Sequence, residues 1–337
     1  MRPSFAPSSF FVLFCFLLLL SCGDEQAAGV SPPSPPATAP RQPDPNAKPV
    51  PKFDRDSAYA FVAEQVDFGP RVMNTPAHEA ARRYFVQKLE DYGAAVTEQE
   101  FTAEAYDGTK LRGTNIIARY NPEMDDRILL CAHWDTRPVA DSPLEDDPNA
   151  VVNGADDGAS GVAVLLEIAR QLGLSTPNIG VDIVLLDAED YGAQNNANSW
   201  GLGAQHYAKN VLLPKPRYGI LLDMVGARDA RFAVEQISFK YAPQVVRKVW
   251  NLANQMGYGA YFVEEDGGAV TDDHYFINTI AGIPTIDIIN RRKDTDTGFV
   301  AHWHTDDDNL DVIDKRTLRA AGQVVLAVVY REAGGSL

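Results

Sequence analysis

Five short clusters of acids and histidines carry side chains that can hold a divalent metal ion. The clusters are His133-Trp134-Asp135, Asp156-Asp157, Asp187-Ala188-Glu189-Asp190, Leu222-Asp223-Met224 and Trp303-His304-Thr305. Carboxylates and imidazoles without any cysteine suit zinc or a similar ion. Any single acid among the 46 acidic residues of this 337-residue chain is more often a solvated loop charge, so the prediction of a site depends on the clusters occurring together. The chain has no HExxH pattern, which excludes a zinc site carried by one helix.

The elements that must position these clusters alternate between strand and helix. Predicted strands cover 96–104, 114–120, 127–131, 181–186, 218–222, 231–236, 261–264 and 284–289. Helical periodicity begins near residue 56 and continues in 75–92, 161–172, 201–210, 243–255, 273–280 and 313–332. This alternation indicates an α/β fold, and we expect a single-domain α/β/α sandwich with a mostly parallel, mixed central sheet. The acidic, proline-containing segment 134–153 is expected to be a long functional or mobile loop.

The clusters also share a place relative to the predicted strands. His133, Glu189, Asp190 and Asp223 each follow directly after an apolar strand, and Asp157 opens a helix. In open α/β sheets, ligands bind beyond the carboxyl ends of the strands. We therefore expect these five side chains to project to the same edge of the sheet.

The acidic balance of the chain limits its partners. The formal net charge is −16, which disfavours nucleic acid as a partner because its phosphates would be repelled. Such a charge also tends to keep a protein soluble and monomeric, and we expect a monomer. Beyond the first 22 residues Cys131 is the single cysteine, so no internal disulfide is expected. It lies in the apolar run 128–132 and is expected to be a buried small hydrophobic residue.

The N-terminal residues predict export. Residues 1–22 combine Arg2 with a short apolar run, the pattern of a signal peptide. Leu19-Leu20-Ser21-Cys22 resembles a bacterial lipobox, which implies a lipid on Cys22, although a plain signal peptide with an incidental cysteine is the alternative. Residues 23–51 are rich in proline and are expected to form a disordered tether. The catalytic domain is then predicted to cover 52–337, exported and lipid-anchored to the bacterial cell envelope.

The five clusters, with Gly154 to Gly161 around the Asp pair, resemble the ordered motifs of the M28 zinc peptidases over roughly residues 55–335. The resemblance implies a zinc-dependent α/β fold in which Asp157, Asp190 and His304 bind the metal. It also implies that Glu189 acts as general base or acid. Asp190 stands where the family pattern usually has a glutamate, a side chain longer by one methylene.

Two chemistries occur on this family's framework. The resemblance to its aminopeptidases implies two metals, with His133 and Asp223 completing the second site, Asp157 bridging, and a metal-activated water as nucleophile. The resemblance to its glutaminyl cyclases implies one zinc and no water nucleophile. There the substrate's α-amine attacks its own γ-carboxamide, and a glutamate carries a proton to the departing ammonia.

Three features favour the cyclase. Thr271-Asp272-Asp273-His274 matches a cyclase pattern, Trp303 precedes the expected ligand His304, and Trp200-Gly201-Leu202-Gly203-Ala204-Gln205-His206 resembles a stretch of bacterial cyclases. A glutaminyl-peptide cyclotransferase acting on peptide or protein N-termini is therefore predicted, with one zinc, or two if the aminopeptidase hypothesis holds. A non-catalytic peptide-binding lipoprotein is a further alternative.

The cyclase hypothesis assigns a role to each candidate residue. The catalytic residues are Glu189, Asp272 and Asp223, the substrate-binding residues are Trp303, His133 and Trp200, and the metal ligands are Asp157, Asp190 and His304. Asp135 is expected to orient His133. His302 is expected to be exposed and His78 to have no role.

Overall fold

A six-stranded mixed sheet forms the centre of the computed structural model, which describes residues 44–45, 47–147 and 149–337. Its strands are β1 (Ala95–Glu104), β2 (Lys110–Tyr120), β3 (Arg127–His133), β4 (Gly180–Leu186), β5 (Gly219–Asp223) and β8 (Thr285–Ile289). The short strands β6 (Phe232–Val234) and β7 (Phe262–Asp266) pair with each other beside this sheet. The predicted signal peptide and residues 23–43 of the predicted tether lie outside the described residues.

Helices pack on both faces of the sheet. They are α1 (Arg55–Val66), α2 (Pro76–Asp91), α3 (Ala159–Leu174), α4 (Leu202–Lys209), α5 (Gln236–Tyr241), α6 (Pro243–Gln255), α7 (Asp273–Phe276) and α8 (Lys315–Ala333). Single 3₁₀ turns occur at Ala197–Ser199 and Leu310–Val312. Among the described residues, no helix is both long and apolar enough to span a membrane.

The strand order is β1-β2-β4-β3-β5-β8. The four strands β4, β3, β5 and β8 are parallel, whereas the β1-β2 hairpin joins the edge of β4 in antiparallel fashion. Strands β3, β4, β5 and β8 are buried along their whole length, as expected for a sheet covered on both faces. The predicted α/β/α sandwich with a mostly parallel, mixed sheet is confirmed.

The hydrophobic core is divided by the sheet. A large cluster packs α1, α3, α6 and α8 against one face, and a smaller one packs α4 and α7 against the other. Cys131 is fully buried in the smaller cluster, as the sequence predicts.

The start of α3 fits closely against the end of β5. An added Cβ at Gly161 would lie 2.3 Å from the carbonyl oxygen of Leu222, so the absence of a side chain permits this approach. The Ser160 hydroxyl donates to the Asp156 carbonyl (2.6 Å) and accepts from the Val225 amide (2.9 Å), which ties the helix start to the residues after β5. These contacts bring the loop before α3 to the carboxyl end of β5.

Local structure differs from the sequence prediction at two places. The helix predicted over 273–280 is α-helical only to Phe276 and continues as a π-helical turn, Ile277–Ala281. The Asn278 amide donates to the carbonyls of His274 and Thr285 and so fixes this wider turn to the start of β8. The strand predicted over 231–236 has three residues because the chain enters α5, a helix too short to show periodicity in the sequence.

The last residues of the predicted tether lie against α8. The Asp44 amide donates to the carbonyl of Gly334 (3.0 Å), and the Gln323 amide donates to the carbonyl of Pro51 (3.0 Å). The chain therefore joins the domain along α8, whose end lies beside the loops that precede β3 and β4.

Replacing Gly161 by alanine is expected to destabilise the protein by about 1–3 kcal/mol, because the new methyl group overlaps the backbone of Leu222. The same change at an unobstructed helical position stabilises by about 1 kcal/mol. Urea unfolding of the wild type and of the Gly161→Ala variant measures the difference in their free energies of unfolding. A more stable Gly161→Ala variant would contradict the close approach of α3 to β5.

Candidate active site

A pocket of about 300 Å³ opens at the carboxyl edge of the parallel strands. Eight of the nine predicted site residues line it, namely Asp157, Glu189, Asp190, Trp200, Asp223, Asp272, Trp303 and His304. The ninth, His133, is 1% exposed and does not line the pocket, but its ring contacts two acids that do. A direct contact between His133 and substrate stays a prediction.

The three predicted metal ligands converge. One ligand atom from each of Asp157, Asp190 and His304 lies within 4.8 Å of the other two. The His304 Nε2 atom is 3.2 Å from Asp190 Oδ1 and 3.9 Å from Asp157 Oδ2. Asp190 therefore reaches His304 despite its shorter side chain, and its buried Oδ2 has no hydrogen-bond partner within the described part of the chain. Two carboxylates and an imidazole with an unpartnered oxygen fit a divalent ion such as zinc.

Asp157 also belongs to a second ligand group. His133 Nε2 lies 2.9 Å from Asp157 Oδ1 and 3.4 Å from Asp223 Oδ1. Asp157 thus turns one oxygen toward His133 and the other toward His304. The ligand sets of the one-metal and the two-metal hypotheses are both assembled.

Three residues at or next to the candidate site residues have a backbone conformation in the left-handed region. The non-glycine residues Ala188 (φ 54°), Met224 (φ 47°) and His304 (φ 56°) all have positive φ. Ala188 precedes Glu189, Met224 follows Asp223, and His304 is itself a predicted ligand. Such conformations cost roughly 1–3 kcal/mol each and persist only where the surrounding structure enforces them. The surrounding structure therefore constrains the chain next to Glu189 and Asp223 and at His304.

Asp308 supports the loop that carries the predicted ligand Asp157. Its carboxylate accepts hydrogen bonds from the amides of Asp156 (2.7 Å) and Asp157 (3.1 Å). Burial raises the pKa of Asp308 to about 7, and the nearby Asp156 and Asp157 carboxylates add to this effect. Arg71, fully buried, donates to the carbonyl of Gly154 (2.7 Å) at the start of the same loop. Sequence analysis missed both residues, although Asp308 follows His304 by only four positions.

Asp156 is a structural neighbour of Asp157 rather than a ligand. Its Oδ1 accepts from the amides of Gly226 (2.8 Å) and Ala227 (3.0 Å), and its Oδ2 contacts His302 Nε2 (2.9 Å). The expectation that His302 is exposed is wrong, since only 12% of its side chain is accessible. Its partner lies 146 positions away, so no local pattern revealed the contact.

Two further carboxylates fix the residues after β4. Asp135 accepts from the amides of Glu189 (3.0 Å) and Asp190 (3.1 Å), whereas His133 Nδ1 lies 3.6 Å away, beyond a normal hydrogen bond. Asp135 therefore holds the backbone of the two acids rather than chiefly orienting His133. His78 is buried and contacts Asp187 (2.9 Å), which is a structural contact, so the expectation that it has no role in the chemistry stays a prediction.

The long loop 134–153 supplies a partner for His304. Asp141 Oδ1 lies 2.7 Å from His304 Nδ1, and Arg137 donates to the same carboxylate (2.6 Å). Arg137 also donates to the carbonyl of Asp190 (2.9 Å) and lies over the ring of Trp200 at 4.8 Å. A carboxylate on the far nitrogen of a ligand histidine fixes its orientation. Sequence analysis missed Asp141, whose one signal was its place in an unusually long acidic loop.

Aromatic rings form one wall of the pocket. The rings of Trp303 and His304 stack at a centroid distance of 3.8 Å, and Phe299 stacks on Trp303 at 4.5 Å. The Trp200 indole N–H donates to the carbonyl of Ala193 (3.0 Å), so its polar group is satisfied within the protein. The aromatic surfaces can therefore meet an apolar part of a ligand.

Burial is the main influence on the pKa values of the pocket acids. Burial raises the pKa of Glu189 well above its usual value, and Asp272, Asp190 and Asp273 raise it further against the opposing effect of His133. Burial likewise raises the pKa of Asp223 well above its usual range, with Asp157 and Asp272 contributing. The raised pKa makes Glu189 a stronger proton acceptor than a solvent-exposed glutamate.

This architecture is shared with solved zinc enzymes. A Zn-dependent exopeptidase from Parabacteroides distasonis is 50% identical, with a TM-score of 0.81 over 84% of this chain and 99% of that one. The model of Peptidase family M28 matches residues 115–329, and the chain belongs to this family, which confirms the resemblance found in the sequence.

Two further relatives are glutaminyl cyclases. A solved glutaminyl cyclase from Bacteroides thetaiotaomicron is 49% identical, with a TM-score of 0.81 over 84% of this chain and 99% of that one. The glutaminyl-peptide cyclotransferase of Drosophila melanogaster is 26% identical over 300 residues, covering 79% of this chain and 78% of its own.

Asp141→Asn is expected to weaken zinc binding about 10–100-fold, because the amide holds His304 less firmly than the carboxylate does. Competition with a chromogenic chelator measures the affinity. Asp146→Asn removes the same charge from an exposed position of the same loop and is the matched control. Equal affinities of the two variants would contradict the role of Asp141.

Proposed function

We propose that this protein is a zinc-dependent glutaminyl-peptide cyclotransferase, which converts the N-terminal glutamine of peptides to pyroglutamate and releases ammonia. The observation that carries the proposal is the placement of Glu189 beside Asp272 and Asp223 in a pocket walled by Trp303. The similarity to solved glutaminyl cyclases supports the same activity. One zinc per chain is proposed.

The reaction requires one nitrogen nucleophile and one nitrogen leaving group. The substrate's α-amine nitrogen forms a bond to the γ-carboxamide carbon, the bond from that carbon to the amide nitrogen breaks, and a five-membered lactam results. Asp157, Asp190 and His304 would hold the zinc, which when bound supplies a Lewis acid that polarises a carbonyl oxygen.

Glu189 carries the proton in this proposal. It takes a proton from the attacking amine and delivers it to the departing nitrogen, so that ammonia leaves and the carboxylate is restored. Its raised pKa favours uptake of the proton from the amine. Asp272 raises the pKa of Glu189, and Asp223 lines the same pocket, so we assign both acids to a supporting relay.

The pocket is large enough for one glutamine residue. Its volume of about 300 Å³ accommodates the glutamine side chain together with the α-amine. Trp303 and Trp200 both line it, and we propose that they pack against the glutamine methylenes.

The two-zinc aminopeptidase remains the second candidate because the ligand group of His133, Asp157 and Asp223 is also assembled. In a one-metal enzyme, the His133 imidazole would be protonated and would occupy the place of the second metal ion beside Asp157 and Asp223. Burial alone would lower the pKa of His133, but Asp135, Asp157 and Asp223 raise it well above its usual value. The resulting imidazolium would balance the charge that a second cation otherwise balances.

Purified enzyme is expected to release ammonia from a glutamine-initiated dipeptide, and Glu189→Gln to reduce this release at least about 100-fold, because glutamine cannot carry the proton. A coupled ammonia assay measures turnover, and calorimetry measures peptide affinity, which should change little. Glu264→Gln, an exposed position outside the pocket, is the matched control.

Three outcomes would contradict this assignment. Free leucine from a leucyl peptide without ammonia would indicate the aminopeptidase. Peptide binding without any product would indicate a non-catalytic binding lipoprotein. Full turnover by Glu189→Gln would refute the proposed proton carrier.

We further propose that the protein is exported and anchored through a lipid on Cys22, with residues 23–43 as part of the tether. Cys22→Ser is expected to move the protein from the membrane fraction to the soluble fraction of its native host. Cys15→Ser, the other cysteine of the same segment, should leave it with the membranes. Membrane retention of Cys22→Ser would support a plain signal peptide with another means of attachment.

A further inference from the structure

Glu235 is a buried carboxylate that gathers four hydrogen-bond donors. It is 1% exposed and stands at the start of α5, where it accepts from the amides of Ile237 (2.8 Å) and Ser238 (2.6 Å). It also accepts from the amide of Val270 (3.1 Å) and contacts His274 Nε2 (3.0 Å). Capping of α5 needs only the first two, so the other two require a separate explanation.

The two additional donors flank Asp272 in the chain. Glu235 Oε1 binds the residue two positions before Asp272, and Oε2 binds the residue two positions after it. One carboxylate therefore bridges the segment that presents Asp272 to the pocket. The preceding loop has no regular structure, and the Gln236 amide donates to the carbonyl of Gly268 (2.8 Å), so α5 holds the loop at a further point.

The other ring nitrogen of His274 faces Asp287. Its Nδ1 lies 3.9 Å from Asp287 Oδ2, both side chains are fully buried, and neither of these atoms has a hydrogen-bond partner among the described residues. One ligand atom from each of Asp272, His274 and Asp287 lies within 4.8 Å of the others. The imidazole thus lies between Glu235 and the carboxyl groups beneath the pocket. Packing of the core alone would not require a histidine at this buried position.

We propose that the Glu235–His274 pair positions Asp272 for proton transfer by fixing the chain on both sides of it. This inference rests on the proposed cyclotransferase function. Glu235 and His274 do not line the pocket and act through Asp272, so they are positioning residues. A displacement of about 1 Å in a reacting group can reduce a rate about 100-fold, whereas substrate affinity depends mainly on other contacts.

The test compares His274→Leu with His274→Gln, whose side-chain amide can still donate to Glu235. We expect His274→Leu to lower kcat for ammonia release at least about tenfold while KM changes less than about threefold. His274→Gln should keep kcat within about threefold of the wild type. Bound zinc, measured by mass spectrometry, should be the same in all three proteins.

Glu235→Ala tests the pair from the other side and is expected to lower kcat similarly. Asp54→Ala is its matched control, because Asp54 also accepts from two amides at a helix start but caps α1, remote from the pocket. It should lose stability and keep kcat. If Glu235→Ala fails to fold, the two His274 variants decide.

The inference is overturned by wild-type kcat in His274→Leu, by a rise in KM alone, or by loss of bound metal in that variant. The last result would indicate a cation held by Asp272, His274 and Asp287. Absence of ammonia release by the wild type would instead overturn the proposed function, and this inference with it.

Discussion

The concentration of carboxylates at one edge of the sheet is the constraint on which the rest of the structure depends. Asp157, Glu189, Asp190 and Asp223 are all buried, and such charges repel one another in a medium of low polarity. Imidazoles between them and backbone amides directed at neighbouring acids offset this cost. The strained conformations at Ala188, Met224 and His304 show how tightly the chain is bent to achieve it.

Neighbouring acids have different places in the structure: some face the pocket, and others accept hydrogen bonds from backbone amides behind it. Asp157 faces the pocket, while Asp156 and Asp308 bind backbone amides behind it. In the same way Glu189 and Asp190 face the pocket, while Asp135 accepts from both of their amides. The acidic clusters of the sequence therefore combine pocket-lining positions with structural ones and do not form a uniformly charged surface.

The strands of the sheet and the place of the pocket could be predicted from the sequence because both depend on local patterns. Apolar runs such as 181–186 located the strands, and their ends located the pocket. Asp141, Asp308 and Glu235 escaped because their importance arises from partners distant in the chain, for example 163 positions between Asp141 and His304. A residue defined only by a remote contact leaves no periodicity or spacing to detect, which is also why the burial of His302 was missed.

The attachment of residues 44–51 along α8 has a consequence for access. Asp44 meets Gly334 beside the loops that precede β3 and β4, at the amino ends of the parallel strands. The pocket opens at the opposite edge, and a seven-residue strand alone spans roughly 23 Å between the two. Residues 44–51 therefore leave the mouth of the pocket uncovered, so this part of the chain does not obstruct the entry of another polypeptide's end.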